Sequence, residues 1–205
     1  MEKIIPFLNK QEALKSLDNG GRFYNFLSSA QDGKITTAEM AKAAGVFSNE
    51  QKMWLFFEMA TKNLNREDKA LIIEQFSDKL KESYNEENPK WLKENSIDGN
   101  TAKSVIVFGV PAKVEEKSDL QSFIMVPIIT AGTMTFTLIP IFDNYEVYEI
   151  DLGSQGDKFL LAHNKTSQPL PAQEIYCGGV LKEMKKGKGE EAVTEQFLEI
   201  MYFMD

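Results

Sequence analysis

The chain contains one cysteine and one histidine, Cys177 and His163, and both side chains have chemistry suited to catalysis. A thiol beside an imidazole can act as nucleophile and base, and the two glycines that follow Cys177 would leave space next to the thiol. However, Cys177 ends the apolar run that begins at Ile175, and a free cysteine in such a run is usually a small core residue. We therefore expect Cys177 to be structural, and we predict slow alkylation of the native protein.

Established catalytic motifs do not accompany this pair. The sequence contains no phosphate-binding Walker loop, no dinucleotide-binding glycine fingerprint and no Gly-x-Ser-x-Gly turn. A single cysteine also excludes an intramolecular disulfide and a multi-cysteine metal site. The sequence therefore predicts no catalytic residue, no cofactor and no metal ligand.

The segment from Ser28 to Glu39 has part of the spacing of a cation-binding loop. Asp32, Gly33 and Glu39 fall at the fifth, sixth and twelfth positions, so the segment resembles half of the calcium loop of an EF-hand. The first and third positions are Ser28 and Ala30, which removes two of the usual acidic ligands. Glu39 also fits a capping box at the start of a helix. We expect a tight turn there, and we predict no calcium binding at physiological levels.

Two predicted helices joined at Gly45 resemble a helix-turn-helix. Ala41, Gly45 and Val46 carry the resemblance, and the second helix follows Ser48. The first turn of that helix has no arginine and one acid, Glu50, whereas contacts to bases and phosphates usually need several Arg, Lys, Asn or Gln side chains. The favoured interpretation is a helical hairpin within a bundle, and nucleic acid is not an expected partner.

Charge is distributed unevenly along the chain. Residues 1–97 carry 14 Lys and Arg against 15 Asp and Glu, a net charge of −1, whereas residues 98–205 carry 9 against 16, a net charge of −7. An acidic surface repels phosphate backbones and anionic lipids. The basic cluster of the acidic half consists of Lys182, Lys185, Lys186 and Lys188. We expect a solvated loop there, because the Glu190-Glu191 pair that follows opposes a bound anion.

The sequence shows no sign of membrane insertion or export. Its apolar runs are shorter than the roughly 18 to 20 residues that span a bilayer. The first residues lack the basic flank and the long apolar stretch of a signal peptide. We therefore expect a cytoplasmic protein without a transmembrane segment.

Helical periodicity dominates residues 1–84. The predicted helices end at Gly20, span Phe23 to Ala30, lie near 37–44 and 49–63, and run from Asn65 through Leu80. The sequence therefore predicts an N-terminal bundle of about four or five helices. A charged stretch at 85–100, which includes Pro89 and the turn Asp98-Gly99-Asn100, predicts a linker that limited proteolysis should cut first.

Residues 101–205 carry β-strand patterns. The predicted strands are 105–108, 122–129, 134–141, 145–152, 158–163 and 174–181. A short segment with Gly132 joins the second and third strands, which is typical of a hairpin, and Asp143-Asn144 forms the next turn. The stretch from Ser122 to Leu152 therefore predicts an antiparallel meander at the core of this domain.

The end of the chain has the spacing of an amphipathic helix. Val193, Phe197, Ile200 and Met204 recur at intervals of four, three and four, which predicts a helix from Glu190 to Asp205 that covers the sheet and whose removal should unfold the domain. The predicted fold class is thus α+β, a helical bundle followed by a meander and a terminal helix. This element order resembles the partly closed barrel of the pleckstrin-homology type, and a likeness of order alone implies no site.

Two classes of function fit these patterns. The first is a non-enzymatic binding or adaptor protein, because acids, bases, nucleophiles and metal ligands do not cluster. The second is a small enzyme or small-ligand sensor with a site in the C-terminal β domain. The dispersed residues that would build this site are Tyr148, Glu149, Asp151, His163 and Glu174. The expected partner is another protein or a small ligand. A pocket would favour the second class, and an apolar surface patch would favour the first.

Overall fold

A computed structural model provides the architecture of the chain. It describes residues 1–21, 29–47, 49–92, 103–114, 122–130, 133–152, 158–186 and 193–205. For residues 122–130, 133–140, 142–143, 185–186 and 193 it describes the backbone. The predicted helix through Phe23, Phe26 and Leu27 lies largely outside the described residues, as does much of the predicted linker at 85–100, so the domain boundary stays a prediction.

The described helices are α1 Lys10–Leu17, α2 Thr37–Ala43, α3 Glu50–Ala60, α4 Arg66–Glu74, α5 Asp78–Glu87 and the short α6 Ile141–Asn144. The first four begin at side chains that cap free N–H groups. Thr36 and Glu39 form the predicted capping box of α2, and Asn65 accepts a hydrogen bond from the Asp68 N–H at the start of α4. Asn49, rather than Ser48, is the N-cap of α3. The single helix predicted from Asn65 through Leu80 is two helices.

The described strands form one mixed ten-stranded sheet. They are β1 Glu2–Lys3, β2 Lys90–Trp91, β3 Ser104–Gly109, β4 Ala112–Lys113, β5 Ser122–Thr130, β6 Thr133–Pro140, β7 Tyr145–Asp151, β8 Lys158–Asn164, β9 Ile175–Lys186 and β10 Val193–Met204. The order across the sheet is β2-β3-β9-β10-β8-β7-β4, with β1 beside β10 and the β5–β6 hairpin beside β9. The β1–β10, β8–β10 and β2–β3 pairs are parallel.

This topology contradicts the predicted bundle followed by a meander. The β5–β6 hairpin forms as predicted, but β7 pairs with β8 and β4 rather than with β6. The reason is local: Asp143-Asn144 belongs to α6, a helical turn that lies between β6 and β7. The helices also do not form a separate bundle, because α3 packs directly against β3, β9 and β10. The pleckstrin-homology likeness therefore does not hold.

The predicted C-terminal helix is wrong, because residues Val193–Met204 form strand β10. This strand pairs with β9 along its whole length and lies near the middle of the sheet, where the backbone hydrogen bonds to both neighbours decide its conformation. A bulge between Ile200 and Tyr202 changes the face that alternate residues occupy. Leu198 and Ile200 lie in the core cluster of one face, and Tyr202 lies in that of the other. The neighbours Phe197 and Leu198 point to opposite faces and are both fully buried, so apolar residues occupy both faces of β10 and do not alternate with polar ones.

Close approach between α3 and the sheet depends on a glycine. A Cβ atom at Gly178 would lie 2.5 Å from the Met59 Sδ atom and 3.2 Å from Leu55, so a larger residue there would have to displace these two side chains of α3. The core on this side combines helix and strand residues, including Trp54, Phe57 and Tyr202. Among the described residues, no helix combines the length and the apolar composition that crossing a membrane requires.

Candidate functional site

A groove lies where the α3 to α4 connection meets the edge of the sheet formed by β2, β3 and β9. Its cavity volume is about 590 Å³. The helical side is lined by Glu58, Thr61, Lys62, Leu64, Arg66 and Lys69, and the sheet side by Trp91, Leu92, Ile106, Phe108 and Tyr176. Sites for small organic molecules in proteins have volumes of roughly 300 to 1,000 Å³, so the groove has an appropriate size.

Aromatic rings form the sheet side of the groove. Phe108 on β3 and Tyr176 on β9 are register partners, and their ring centroids lie 4.5 Å apart at an interplanar angle of 35°. Trp91 on β2 packs edge-on against Tyr176, with the centroids 5.8 Å apart. Phe108 remains 43% exposed, so part of its ring faces solvent. The three rings thus form an apolar cluster that is partly open to solvent.

Positive charge dominates the helical side. The Lys62 Nζ atom lies 3.9 Å from the centroid of the Tyr176 ring, in a cation–π contact. Arg66 is the first residue of α4 and is exposed, and within the described part of the chain no acidic side chain lies within ion-pair distance of it. Lys69 is the third cation, and it pairs with Glu58. With three cations and one carboxylate, the lining has a net charge of +2.

Glu58 is the buried acid of the groove, and its hydrogen bonds are extensive. Lys69 Nζ donates to both carboxylate oxygens, at 2.8 and 2.7 Å. The Tyr84 hydroxyl donates to Oε1 at 2.6 Å, and the Trp91 Nε1–H donates to Oε2 at 3.2 Å. Burial, together with the negative charge of Glu58, raises the pKa of Tyr84 well above its usual range. This network fixes the Trp91 ring and engages both oxygens of the Glu58 carboxylate.

Two of the five residues expected to build a site in the β domain, Tyr148 and His163, do lie together, but neither lines the groove. Tyr148 and His163 stack with their ring centroids 5.5 Å apart, next to Glu146. The Tyr148 hydroxyl donates to Glu146 Oε2 at 2.9 Å, and His163 Nε2 lies 3.6 Å from the same oxygen. His163 is buried, and its Nε2 atom has no hydrogen-bond partner among the described residues. A buried imidazole without solvent access cannot exchange a proton with a substrate directly.

The remaining members of that predicted set lie elsewhere. Glu149 forms an exposed ion pair with Lys158 at 2.6 Å. Asp151 and Glu174 are exposed, Asp151 at the end of β7 and Glu174 just before β9. Residues 149 and 151 alternate with Tyr148, so they occupy the opposite face of the sheet. The predicted set of five therefore does not form one site.

Cys177 and His163 are not neighbours either. Cys177 lies on β9 and His163 on β8, and β10 runs between these strands. Two strand spacings of about 4.8 Å each therefore separate them sideways. Burial raises the pKa of the Cys177 thiol to about 12, which opposes formation of the reactive thiolate. Slow alkylation of Cys177 stays a prediction.

The acidic loop at Asp32 is held by a carboxylate from another segment. Asp18 accepts hydrogen bonds from the Asp32 N–H at 3.2 Å and from the Gly33 N–H at 2.8 Å. Glu39, the twelfth position of the resemblance, accepts from the Thr36 N–H, at 2.8 Å, in the capping box of α2. Within the described ranges, no group of three or more His, Cys, Asp or Glu side chains is arranged to hold a metal ion. The absence of calcium binding stays a prediction, and Ser28 lies outside the described residues.

The other two motifs also have structural explanations. Helix α3, the second helix of the helix-turn-helix resemblance, is buried from Met53 onward along most of its length, which agrees with a role in packing. Lys182 lies on β9 and forms an ion pair with Glu199 at 2.5 Å. Lys185 and Lys186 continue that strand, and Lys188 lies outside the described residues. The predicted lysine loop is thus largely a strand.

Sequence analysis missed the groove because its parts are far apart in the chain. Its cations lie at 62–69 and its rings at 91, 108 and 176, and pairing of β2, β3 and β9 brings them together. One local signal was present. Trp91 is an aromatic residue in an otherwise charged stretch.

Comparisons with known proteins do not assign this groove. No family model matches the chain, and a comparison with curated proteins gives no match. Among solved structures, the chain is similar to a 1.8 Å crystal structure of the N-terminal domain of an archaeal MCM, at 8% identity over 83% of this chain and 84% of that one, with a TM-score of 0.37. A similarity of that size supports no argument about function, so the groove must be interpreted from its own chemistry.

Proposed function

We propose that the protein is a non-enzymatic binding protein for a small organic ligand, which occupies the groove between the α3 to α4 connection and the sheet. The observation that carries this proposal is the pocket of about 590 Å³ with three aromatic rings on one side and an excess of positive charge on the other. The rings supply apolar contact area, and a few polar groups fix the orientation of a ligand.

The lining favours binding over catalysis. Its one carboxylate, Glu58, accepts hydrogen bonds from Lys69, Tyr84 and Trp91 and is therefore already engaged. The thiol of Cys177 is close in sequence to Tyr176, but it belongs to the core on the opposite face of the sheet. Among the described residues that line the groove, none is a nucleophile with an adjacent base. A second protein as partner and a cytoplasmic location both remain predictions from the sequence.

The test uses three probes with one naphthyl ring and different charges: 2-naphthoate, 2-naphthylmethanol and 2-naphthylmethylammonium. We expect at least one of them to bind with a stoichiometry of about one and to change the emission of Trp91. Trp54, the other tryptophan, is fully buried and does not line the groove, and the variant Trp91→Phe should abolish the change.

Phe108→Ala is the decisive variant, with Leu71→Ala as its matched control. Both side chains are 43% exposed, but only Phe108 lines the groove. We expect Phe108→Ala to weaken binding by about tenfold or more and Leu71→Ala to leave it unchanged. Failure of all three probes to bind, or equal binding to both variants, would contradict the proposed function.

A further inference from the structure

We infer that the ligand of the groove is an anion attached to a flat aromatic ring, which stacks against Phe108 and Tyr176 while its anionic group lies between Lys62 and Arg66. This inference rests on the proposed function, and it names the chemical class that the groove selects. Two features carry it, the unbalanced charge of the lining and the position of the Lys62 ammonium group.

The charge of the lining favours an anion. Glu58 pairs with Lys69, so among the described residues Lys62 and Arg66 are the cations of the groove that have no acidic partner. Both belong to a region whose opposite side is apolar, and apolar surroundings strengthen the interaction between charges. A cationic ligand would face two like charges, whereas a carboxylate or phosphate would meet two hydrogen-bond donors of opposite charge.

Lys62 explains why an anionic group must accompany the ring. Its Nζ atom lies 3.9 Å from the centroid of Tyr176, so the ammonium group occupies the face on which a flat ligand would stack. A ring that stacks there displaces the ammonium group, which loses its cation–π contact. A neutral ring offers nothing in return, whereas an anionic group on the same ring gives Lys62 a new partner. A small anion without a ring would leave Phe108 and Trp91 in contact with water.

The three naphthyl probes test this selection in the full chain. We expect 2-naphthoate to bind about tenfold or more tightly than 2-naphthylmethanol, and 2-naphthylmethylammonium to bind most weakly, when the dissociation constants are measured by calorimetry. Raising NaCl from about 0.05 M to about 0.5 M should reduce the advantage of the anion, because salt screens exposed charges.

Charge variants locate the effect. Lys62→Gln and Arg66→Gln should each weaken binding of 2-naphthoate by several-fold and leave 2-naphthylmethanol little changed. Lys79→Gln is the matched control, because Lys79 is exposed on α5 and does not line the groove. Circular dichroism should show that these surface variants stay folded. Phe108-dependent binding of all three probes with equal affinity would overturn the inference and keep the proposed function, whereas absence of Phe108-dependent binding would overturn both.

Two further probes distinguish the sources of such an anion. AMP carries a phosphate and a purine ring, whereas 2-naphthoate carries a carboxylate and a carbon ring. Tighter binding of AMP would indicate a nucleotide as the ligand, and tighter binding of 2-naphthoate would indicate an aromatic acid. Either result supports the proposed class of ligand. Inorganic phosphate alone should bind much more weakly than AMP. Equal binding of phosphate and AMP would show that the rings contribute nothing, and it would overturn the inference.

Discussion

Two carboxylates, Glu58 beside the groove and Glu146 at the far side of the sheet, have similar partners in different surroundings. Each accepts hydrogen bonds from a lysine and a tyrosine. Glu58 has a side chain that is 5% exposed, and it also accepts from Trp91. Glu146 is 19% exposed and pairs with Lys113, which is itself 55% exposed. The third neighbour of Glu146 is the His163 Nε2 atom, at 3.6 Å.

The difference in exposure between the two carboxylates shows how burial decides the contribution of each cluster to the stability of the fold. A buried acid must have its hydrogen bonds satisfied, and Glu58 uses them to fix Trp91, which lines the groove. The hydrogen bond from Lys113 lowers the pKa of Glu146, but water competes for both of these charges. We therefore expect the Glu58 cluster to stabilise the fold and position the groove, and the Glu146 cluster to contribute less.

The largest expected effect is from Glu58→Ala. This change leaves the Lys69 ammonium, the Tyr84 hydroxyl and the Trp91 N–H without their acceptor, and breaking a buried ion pair costs about 3–5 kcal/mol. Glu146→Ala, the matched change, should lower the free energy of unfolding by about 1 kcal/mol. Urea denaturation measures both, and equal losses would show that burial does not separate the two clusters.

Alkaline pH should affect the two tyrosines differently. Burial and the hydrogen bond to Glu146 raise the pKa of Tyr148 to about 12, and the pKa of Tyr84 is raised further. Because the unfolded chain ionises near pH 10, the stabilisation is complete below about pH 10 and is lost as the pH rises through the folded pKa. For Tyr84, the free energy of unfolding should therefore continue to fall beyond about pH 12.

Phenylalanine variants test this pH dependence. Tyr84→Phe and Tyr148→Phe should flatten the loss of stability between about pH 10 and about pH 12 to a similar extent, and Tyr84→Phe should flatten it more beyond about pH 12. Urea denaturation across this range gives the stability, and tyrosinate absorbance of the folded protein reports the ionisation. A larger effect of Tyr148→Phe would contradict the proposed order of the two clusters.

His163→Phe should have a smaller effect, of about 1 kcal/mol. The variant retains the ring that stacks on Tyr148 and loses the hydrogen bond between Nδ1 and the Asn164 carbonyl oxygen, at 2.9 Å. The Nε2 atom has no hydrogen bond within the described residues, so its loss should cost little. A destabilisation above about 3 kcal/mol in urea would instead reveal a strong ion pair with Glu146.

The smallest expected effect is from Lys113→Ala. This exposed lysine should contribute no more than about 1 kcal/mol at low salt, and its contribution should vanish in about 0.5 M NaCl. Lys69→Ala, its counterpart beside Glu58, should remain destabilising at both salt concentrations, because its partner is buried. Equal salt dependence of the two variants would contradict the comparison.

Local structure was predictable from the sequence where local interactions decide it. The caps at Thr36 and Asn65 specify helix starts, and the runs around Val105 and Phe123 specify strands, because caps and alternation act within a few residues. The partners of each strand depend on residues far along the chain. Strand β10 is buried on both faces, as the adjacent residues Phe197 and Leu198 show, so it lacks the alternation that identifies a half-buried strand.

The groove could not be predicted for the same physical reason. Lys62 and Tyr176 are in contact but 114 positions apart, and only the pairing of β3 with β9 places Phe108 beside that tyrosine. An aromatic residue that the strand pattern places on the solvent-facing side would have been one useful signal of a binding surface. Phe108 ends an apolar run, and the sequence alone did not distinguish its exposure from the burial of Val107.

The central position of β10 has a consequence for the order in which the chain folds. During synthesis β10 leaves the ribosome after every other strand of the sheet, yet it joins β8 to β9 and also pairs with β1 at Glu2 and Lys3. Until then the edges of β8 and β9 have no partner strand between them, and the helices face an incomplete sheet. Contacts this distant in sequence slow folding, so the nascent chain should depend on chaperones until its last strand is available.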